Sequence, residues 1–264
     1  MALIELHLHS KVLGMELPVN LIIPQEKQPF NKDKKSKVLW LLHGGSGDES
    51  AWIRMSSMER YAIEYGITVI TPGGLNSCFT DMEHGGKFCT YMTEELPKTL
   101  KQIIPLLSTE REDNFIAGLS NGGYGCLRVG LSRPDLYAAI GAFSAGNKAD
   151  IPFVNDGSGK AYGRIEVFGE GEIKGTEHDV EYLAREAIQS GKMLPKIYHA
   201  CGSLDTWLDL NKLVYHFFDR HHVYDYTYHQ AEGYGHTWDF WEMEIVNFLN
   251  LLDLKKDNTS YIGL

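Results

Sequence analysis

Residues 114–126 read NFIAGLSNGGYGC. An apolar run ends in Ser120, with Gly118 and Gly122 two positions to either side and Gly123 and Gly125 close behind. Glycine weakens strands and helices alike, because it has more backbone freedom to lose than any other residue. Four of them around one hydroxyl mark either an ordinary tight turn or a serine held where other residues would be blocked. The pattern GxSxG, placed between a buried strand and a helix, favours the second reading. A sharp strand-to-helix turn lifts the hydroxyl off a sheet, and the following helix points its N-terminus at the site. Ser46 in HGGSG and Ser144 in AFSAG each lack one of the two flanking glycines.

Outward from this turn the chain alternates strands and helices. The strands are expected near 2–10, 15–23, 37–45, 67–74, 114–120, 137–146, 196–203 and 224–230. The helices are expected near 50–65, ending at Gly66, and over 92–107, 121–131, 208–222 and 237–253, with Pro97 and Pro105 as irregularities. Continuous apolar runs such as KVLWLLHGG (37–45) read as buried strands. The first two segments alternate and read as an antiparallel pair at a sheet edge. The expected fold is α/β, a mostly parallel central sheet with helices on both faces and antiparallel N-terminal strands. Residues 1–264 read as one domain. The glycine-rich, weakly periodic stretch 147–176 reads as a lid or loop insertion over the carboxyl edge of the sheet.

Composition narrows the partners. With 264 residues and 43% hydrophobic residues, the chain can bury a sizeable core. A formal net charge of −10 disfavours nucleic acid and anionic membranes, which both need basic patches; the basic run 32–37 (KDKKSK) reads as a solvated loop. The opening MALIELHLHS reads as a strand and not as a signal peptide, and no window is apolar enough to span a membrane. Cys78, Cys89, Cys126 and Cys201 form no CxxC pair, so a zinc site is not expected and only a Cys78–Cys89 bridge stays open. His7 and His9 share one strand face without an evident third ligand, and no metal is expected. The bland reading is a cytoplasmic protein with free thiols.

In an open parallel sheet, chemistry gathers at the carboxyl ends of the strands. Four such ends here carry His43-Gly44-Gly45, Ser120, Asp205 and His236. A serine hydroxyl needs a base before it can attack an ester. The chain order Ser, Asp, His makes His236 the base, on the short loop EGYGH, and Asp205 its acid partner, with Asp209 as a competitor one step further from the strand end. The oxyanion of acyl transfer needs fixed donors, expected from the N–H of Asn121 and from Gly45 or its neighbour Gly44. Because the imidazole must be neutral to act, the rate is expected to fall in mildly acidic solution. Trp52, Phe79, Trp207 and Trp238 lie close in sequence to these elements, as pocket walls or as core. Asp81, His84 and Lys87 either contact a leaving group or cap their own loop.

At this point LLHGGSGDESAW (41–52), FTDMEHGGKFCTYMTEELP (79–97), GLSNGGYG (118–125), CGSLD (201–205) and GHTWDFW (235–241) together resemble the esterase D-like branch of the α/β-hydrolases. Within that branch the chain is most similar to bacterial tributyrin (acetyl) esterases, with S-formylglutathione hydrolases and feruloyl or acetylxylan esterases as relatives. The resemblance runs from about residue 5 to 250. It implies a cytoplasmic serine carboxylesterase, without cofactor, that hydrolyses short acyl esters through Ser120, Asp205 and His236, and often a homo-oligomer. Asn121 stands where many relatives have methionine, and TPGGLNSCF replaces a more usual loop, so acyl and alcohol specificity stay open. Thioester hydrolysis, acyl transfer to an alcohol, and an inactive binding protein on the same fold are the alternatives.

Overall fold

The computed structural model describes residues 1–26, 35–152 and 162–257. Its strands are β1 (Ala2–Ser10), β2 (Met15–Ile23), β3 (Val38–Leu42), β4 (Thr68–Pro72), β5 (Asn114–Leu119), β6 (Ala139–Phe143), β7 (Lys196–Gly202) and β8 (Tyr226–Ala231). They form a sheet in the order β1-β2-β4-β3-β5-β6-β7-β8. β1 pairs antiparallel with β2 and β2 antiparallel with β4, while every later pairing is parallel. Every residue of β3, β4, β5 and β6 is buried, as strands covered on both faces require.

The two-residue period of a strand divides the core in two. Val38, Trp40 and Leu42 point into one apolar cluster, and Leu39 and Leu41 into the other. The second cluster is closed by α1 (Ala51–Met55), α2 (Met58–Tyr65) and the last helix of the chain. The first is closed by α3 (Phe88–Thr90), a π-helical turn (Tyr91–Glu95), α4 (Leu96–Ile103), α5 (Asn121–Ser132), α6 (Tyr162–Phe168), α7 (Val180–Gln189) and α8 (Leu208–Arg220). The last helix is α9 (Trp238–Leu251).

The expected strands hold in order, α7 (Val180–Gln189) is not among the expected helices, and several boundaries fail. The strand expected over 37–45 stops at Leu42, and the one over 137–146 covers only 139–143, because the residues after each bend away toward the site. The helix expected over 50–65 is two, broken where Ser56 takes an extended backbone (φ −147°, ψ 173°). Gly66 does close the second of them in the left-handed conformation (φ 61°). The helix expected over 92–107 starts at Phe88 and stops at Ile103. Pro97 has no N–H for the α-ladder, and the ladder slips to a π-turn in which the Leu96 N–H donates to the Tyr91 carbonyl.

Of the insertion expected at 147–176, residues 153–161 lie outside the described residues, as do 32–34 of the basic run. The remainder holds a 3-10 turn (Lys148–Asp150) and α6. The N–H groups of Glu83 and His84 donate to the carbonyls of Val167 and Glu166 (3.1 and 2.9 Å), which ties the end of α6 to the long loop after β4. Asp81 caps the first turn of the helical stretch through Thr90, accepting from its N–H (2.9 Å) and its hydroxyl (2.6 Å). Cys78 and Cys89 are unbridged.

One buried group makes stability depend on pH. His199 on β7 is fully enclosed; its Nε2–H donates to Asn211 Oδ1, and its Nδ1 accepts from the Tyr226 hydroxyl, both at 2.8 Å. Burial pushes its pKa down from 6.5 to about 4, against a smaller upward pull from Asn211. Between those values the folded imidazole is neutral while the unfolded one binds a proton. Stability is therefore complete above about pH 6.5 and declines as pH falls toward 4, by roughly 3 kcal/mol at most. Urea unfolding of the wild type and of His199→Gln between pH 7 and 4 checks this: the substitution is expected to flatten the acid slope, and equal slopes would contradict it.

Candidate active site

Ser120 leaves β5 and enters α5 with φ 55° and ψ −119°, a conformation that L-residues avoid. The turn is held because the Ser120 N–H donates to the Phe143 carbonyl (2.8 Å) and its own carbonyl accepts the Tyr124 N–H (3.0 Å). The flanking glycines are required by contact. A Cβ on Gly122 would lie 2.3 Å from the His43 carbonyl oxygen and 2.6 Å from that of Leu42. One on Gly118 would lie 2.8 Å from backbone atoms of Gly122 and from the Leu42 carbonyl oxygen. Gly118 and Gly122 allow the close passage of α5 over the end of β3, while a Cβ on Gly123 would meet the Phe143 carbonyl oxygen (2.8 Å) and one on Gly125 the Phe79 side chain (3.0 Å).

Asp205 and His236 converge on the same end of the sheet. Asp205 follows β7 and is buried; its Oδ2 accepts from His236 Nδ1 (2.9 Å) and from the Ser144 hydroxyl (2.6 Å), and its Oδ1 from the Trp207 N–H (2.8 Å). Burial alone pushes the carboxyl pKa up, but hydrogen bonds from His236, Ser144 and Trp207 together outweigh it and hold the group below the usual carboxylate value. An ionised Asp205 fixes the proton of His236 on Nδ1 and leaves Nε2 as a base. Asp209, the competing acid, stands exposed in the first turn of α8.

Ser120 and His236 line one cavity of about 340 Å³, together with Gly44, Gly45, Trp238 and Trp241. Among the described residues no hydrogen bond joins the Ser120 hydroxyl to His236, a looseness common in catalytic pairs before substrate closes them. The N–H groups of Gly45 and Asn121 have no protein acceptor among the described residues, as oxyanion donors should not. Asn121 is the first residue of α5, so the positive end of the helix dipole adds to its N–H.

Two supporting residues, His43 and Ser144, are named in the sequence reading without the roles the structure gives them. His43 is buried, donates from Nδ1 to the Gly44 carbonyl (2.8 Å) and accepts the Gly74 N–H at Nε2 (3.0 Å). Burial lowers its pKa more than the Gly44 bond and the carboxylates of Asp48 and Glu49 raise it. A neutral His43 thus pins the glycine loop to the loop after β4. Ser144, at φ 53°, carries the Asp205 bond and accepts the Trp241 indole N–H (3.0 Å). Its small residue type and lack of a sequence pattern gave no signal.

The four aromatic candidates separate. Trp238 lines the cavity. Trp52 is fully enclosed, donating to the Leu42 carbonyl (3.0 Å) and packing edge-on against Phe143 and Trp238, so it backs the wall from the core. Phe79 is likewise buried, edge-on to His43. Trp207 is 41% exposed and does not line that cavity.

A strained serine at a strand-to-helix turn, a carboxylate-bound histidine on the same cavity and free N–H donors beside it define a serine hydrolase on the α/β-hydrolase fold. The chain belongs to the Esterase family, whose model matches residues 10–251. It is a serine carboxylic-ester hydrolase. It is 32% identical to an acetyl esterase of Caldicellulosiruptor saccharolyticus over 94% of this chain and 96% of that one. Among solved structures it resembles FphF, a fluorophosphonate-binding serine hydrolase of Staphylococcus aureus, with a TM-score of 0.84 and 32% identity over 95% of this chain and 98% of that one. An S-formylglutathione hydrolase (FrmB) from Staphylococcus aureus superposes with a TM-score of 0.82, again at 32% identity and the same coverage.

Proposed function

We propose that Ser120 is the nucleophile, His236 the general base and acid, and Asp205 the residue that orients the imidazole and stabilises the charge it acquires. The Ser120 proton passes to His236 Nε2 as Oγ bonds to the ester carbonyl carbon. The oxyanion takes the N–H groups of Asn121 and Gly45, with Gly44 shaping the loop. The carbonyl C–O bond to the alcohol then breaks, and the alcohol leaves with the proton from His236. Water, deprotonated by the same imidazole, releases the acid and restores Ser120. The observation that carries this reading is the 2.9 Å bond from His236 to buried Asp205, with His236 and Ser120 on one cavity.

The substrates on this reading are short acyl esters. The acetyl esterase relative supports it. The chain reads as one domain, and four free cysteines suit a reducing cytoplasm. Hydrolysis of p-nitrophenyl acetate, butyrate and octanoate tests the chain-length limit. We expect kcat/KM to fall about tenfold or more from butyrate to octanoate; a rise with length would contradict it. The S-formylglutathione hydrolase neighbour supports a second reading, which a steep preference for S-formylglutathione over butyrate esters would favour.

A further inference from the structure

Gly45 and Ser46 border two neighbouring cavities. On one side is the space that holds Ser120 and His236. On the other is a cavity of about 380 Å³, bordered by Asn121 and Cys78 and by two cations, Lys148 and Arg164. Among the described residues no carboxylate lines it, although the chain carries 35 acidic and only 25 basic residues. Among the described residues the charged lining of this cavity is cationic, against the acidic balance of the chain.

Lys148 is placed with care. It is half-buried, and its Nζ donates to Asn121 Oδ1 (2.9 Å) while lying 5.7 and 5.9 Å from the ring centroids of Trp207 and Tyr124. Asp150, two residues away, is engaged elsewhere: it pairs with Lys174 at 2.8 Å, and Asp179 and Glu181 crowd the same ammonium at 3.9 and 3.5 Å. Lys148 thus keeps a neutral amide and two aromatic faces as its partners, and its charge is uncompensated beside the oxyanion donor Asn121. Arg164 lines the same cavity, but its terminal nitrogens donate to the carbonyls of Gly169 (2.5 Å) and Gly171 (3.0 Å) and Glu172 acts on its charge, so Lys148 is the cation that carries the argument.

The arm of the ester that faces Lys148 follows from the proton's path. His236 must reach the leaving oxygen, so the alcohol departs through the cavity that His236 lines. The acyl arm extends from the carbonyl carbon in the opposite direction, across Gly45. We infer that this arm ends in an anion: the preferred substrates are half-esters of short dicarboxylic acids, with the free carboxylate held by Lys148. This rests on the nucleophile and base assigned under Proposed function.

The test compares kcat/KM for p-nitrophenyl hemisuccinate and hemiglutarate with that for p-nitrophenyl butyrate, as a ratio measured on one protein sample. The wild type is expected to favour an anionic ester by about tenfold or more, the scale of a charge-assisted hydrogen bond. Lys148→Met should lower the ratio about tenfold and Lys148→Arg should keep it; the ratio corrects for any change common to both esters. Should the variants fold poorly, the wild-type ratio must still fall as salt rises from about 0.05 to 1 M, where screening shortens to about 3 Å. A wild-type ratio below one, or a ratio indifferent to both Lys148→Met and salt, overturns the inference. A preference for 4-acetoxybenzoate over p-nitrophenyl acetate that Lys148→Met removes would place the anion on the alcohol arm and overturn it as well. Turnover of butyrate alone would sink this inference and leave the esterase assignment standing; no turnover of any ester would sink that assignment itself.

Discussion

Ser120→Ala is expected to lower kcat/KM for p-nitrophenyl acetate by roughly ten-thousand- to million-fold, with the folded state unchanged. The size follows from what the substitution removes: triad members act as a unit, and losing the nucleophile alone forfeits nearly all that the unit supplies. The residue that replaces it keeps the strained turn, since φ 55° is set by the Phe143 and Tyr124 backbone bonds and by the glycines around it. Serine and alanine suffer similarly at positive φ, so stability should stay within about 0.5 kcal/mol. Comparable turnover by variant and wild type would remove Ser120 from the mechanism. A variant that fails to fold would show instead that the hydroxyl has a structural role the contacts do not reveal, and circular dichroism separates the two.

The second large effect is steric. Gly122→Ala ought to raise helix propensity, a gain of about 1 kcal/mol in an ordinary helix. Here the new Cβ would meet the His43 and Leu42 carbonyl oxygens at 2.3 and 2.6 Å, and both belong to the main chain that leads into the oxyanion loop. No rotamer can relieve that contact, so α5 must lift from β3 or the loop must move. Overpacking of this kind costs roughly 3 kcal/mol, which outweighs the propensity gain. A displacement near 1 Å between the Asn121 and Gly45 donors should also reduce kcat/KM by about a hundredfold. Gly171→Ala, where a Cβ has open space and φ is not positive, is the control expected to change neither. Gly122→Ala with normal melting temperature and rate would refute the account of why glycine stands at this turn.

The parts of this site that were legible in the sequence are those with a local signature. GxSxG between an apolar run and a helix located Ser120, and the positions of Asp205 and His236 just past strand ends separated them from Asp209 and ten other histidines. Strand order was less accessible, because a buried strand such as VLWLL is apolar on both faces and carries no mark of its neighbour. Which aromatics reach the cavity was not legible either. Trp52 and Trp238 are both adjacent to catalytic elements in sequence, yet one is buried behind the other, a difference set by helix rotation. His43 and Ser144 act through partners, Gly74 and Trp241, that are brought near only by the fold. Helix α7 is a different case: Val180, Leu183, Ala184 and Ala187 repeat at helical spacing and face the core, a signal present in the sequence itself. The π-turn before Pro97 depends on how the chain satisfies one missing N–H, and residue types alone do not settle that.

The central claim is that a single hydroxyl, Ser120, is the activated nucleophile. Treating the protein with a fluorophosphonate, which phosphonylates activated serines with loss of fluoride, and locating the added mass by peptide sequencing tests it most directly. The account requires one adduct per chain, on the peptide that carries Ser120, with hydrolysis lost in proportion to labelling. An adduct on Ser46 or Ser144, or full labelling with undiminished hydrolysis, would contradict it.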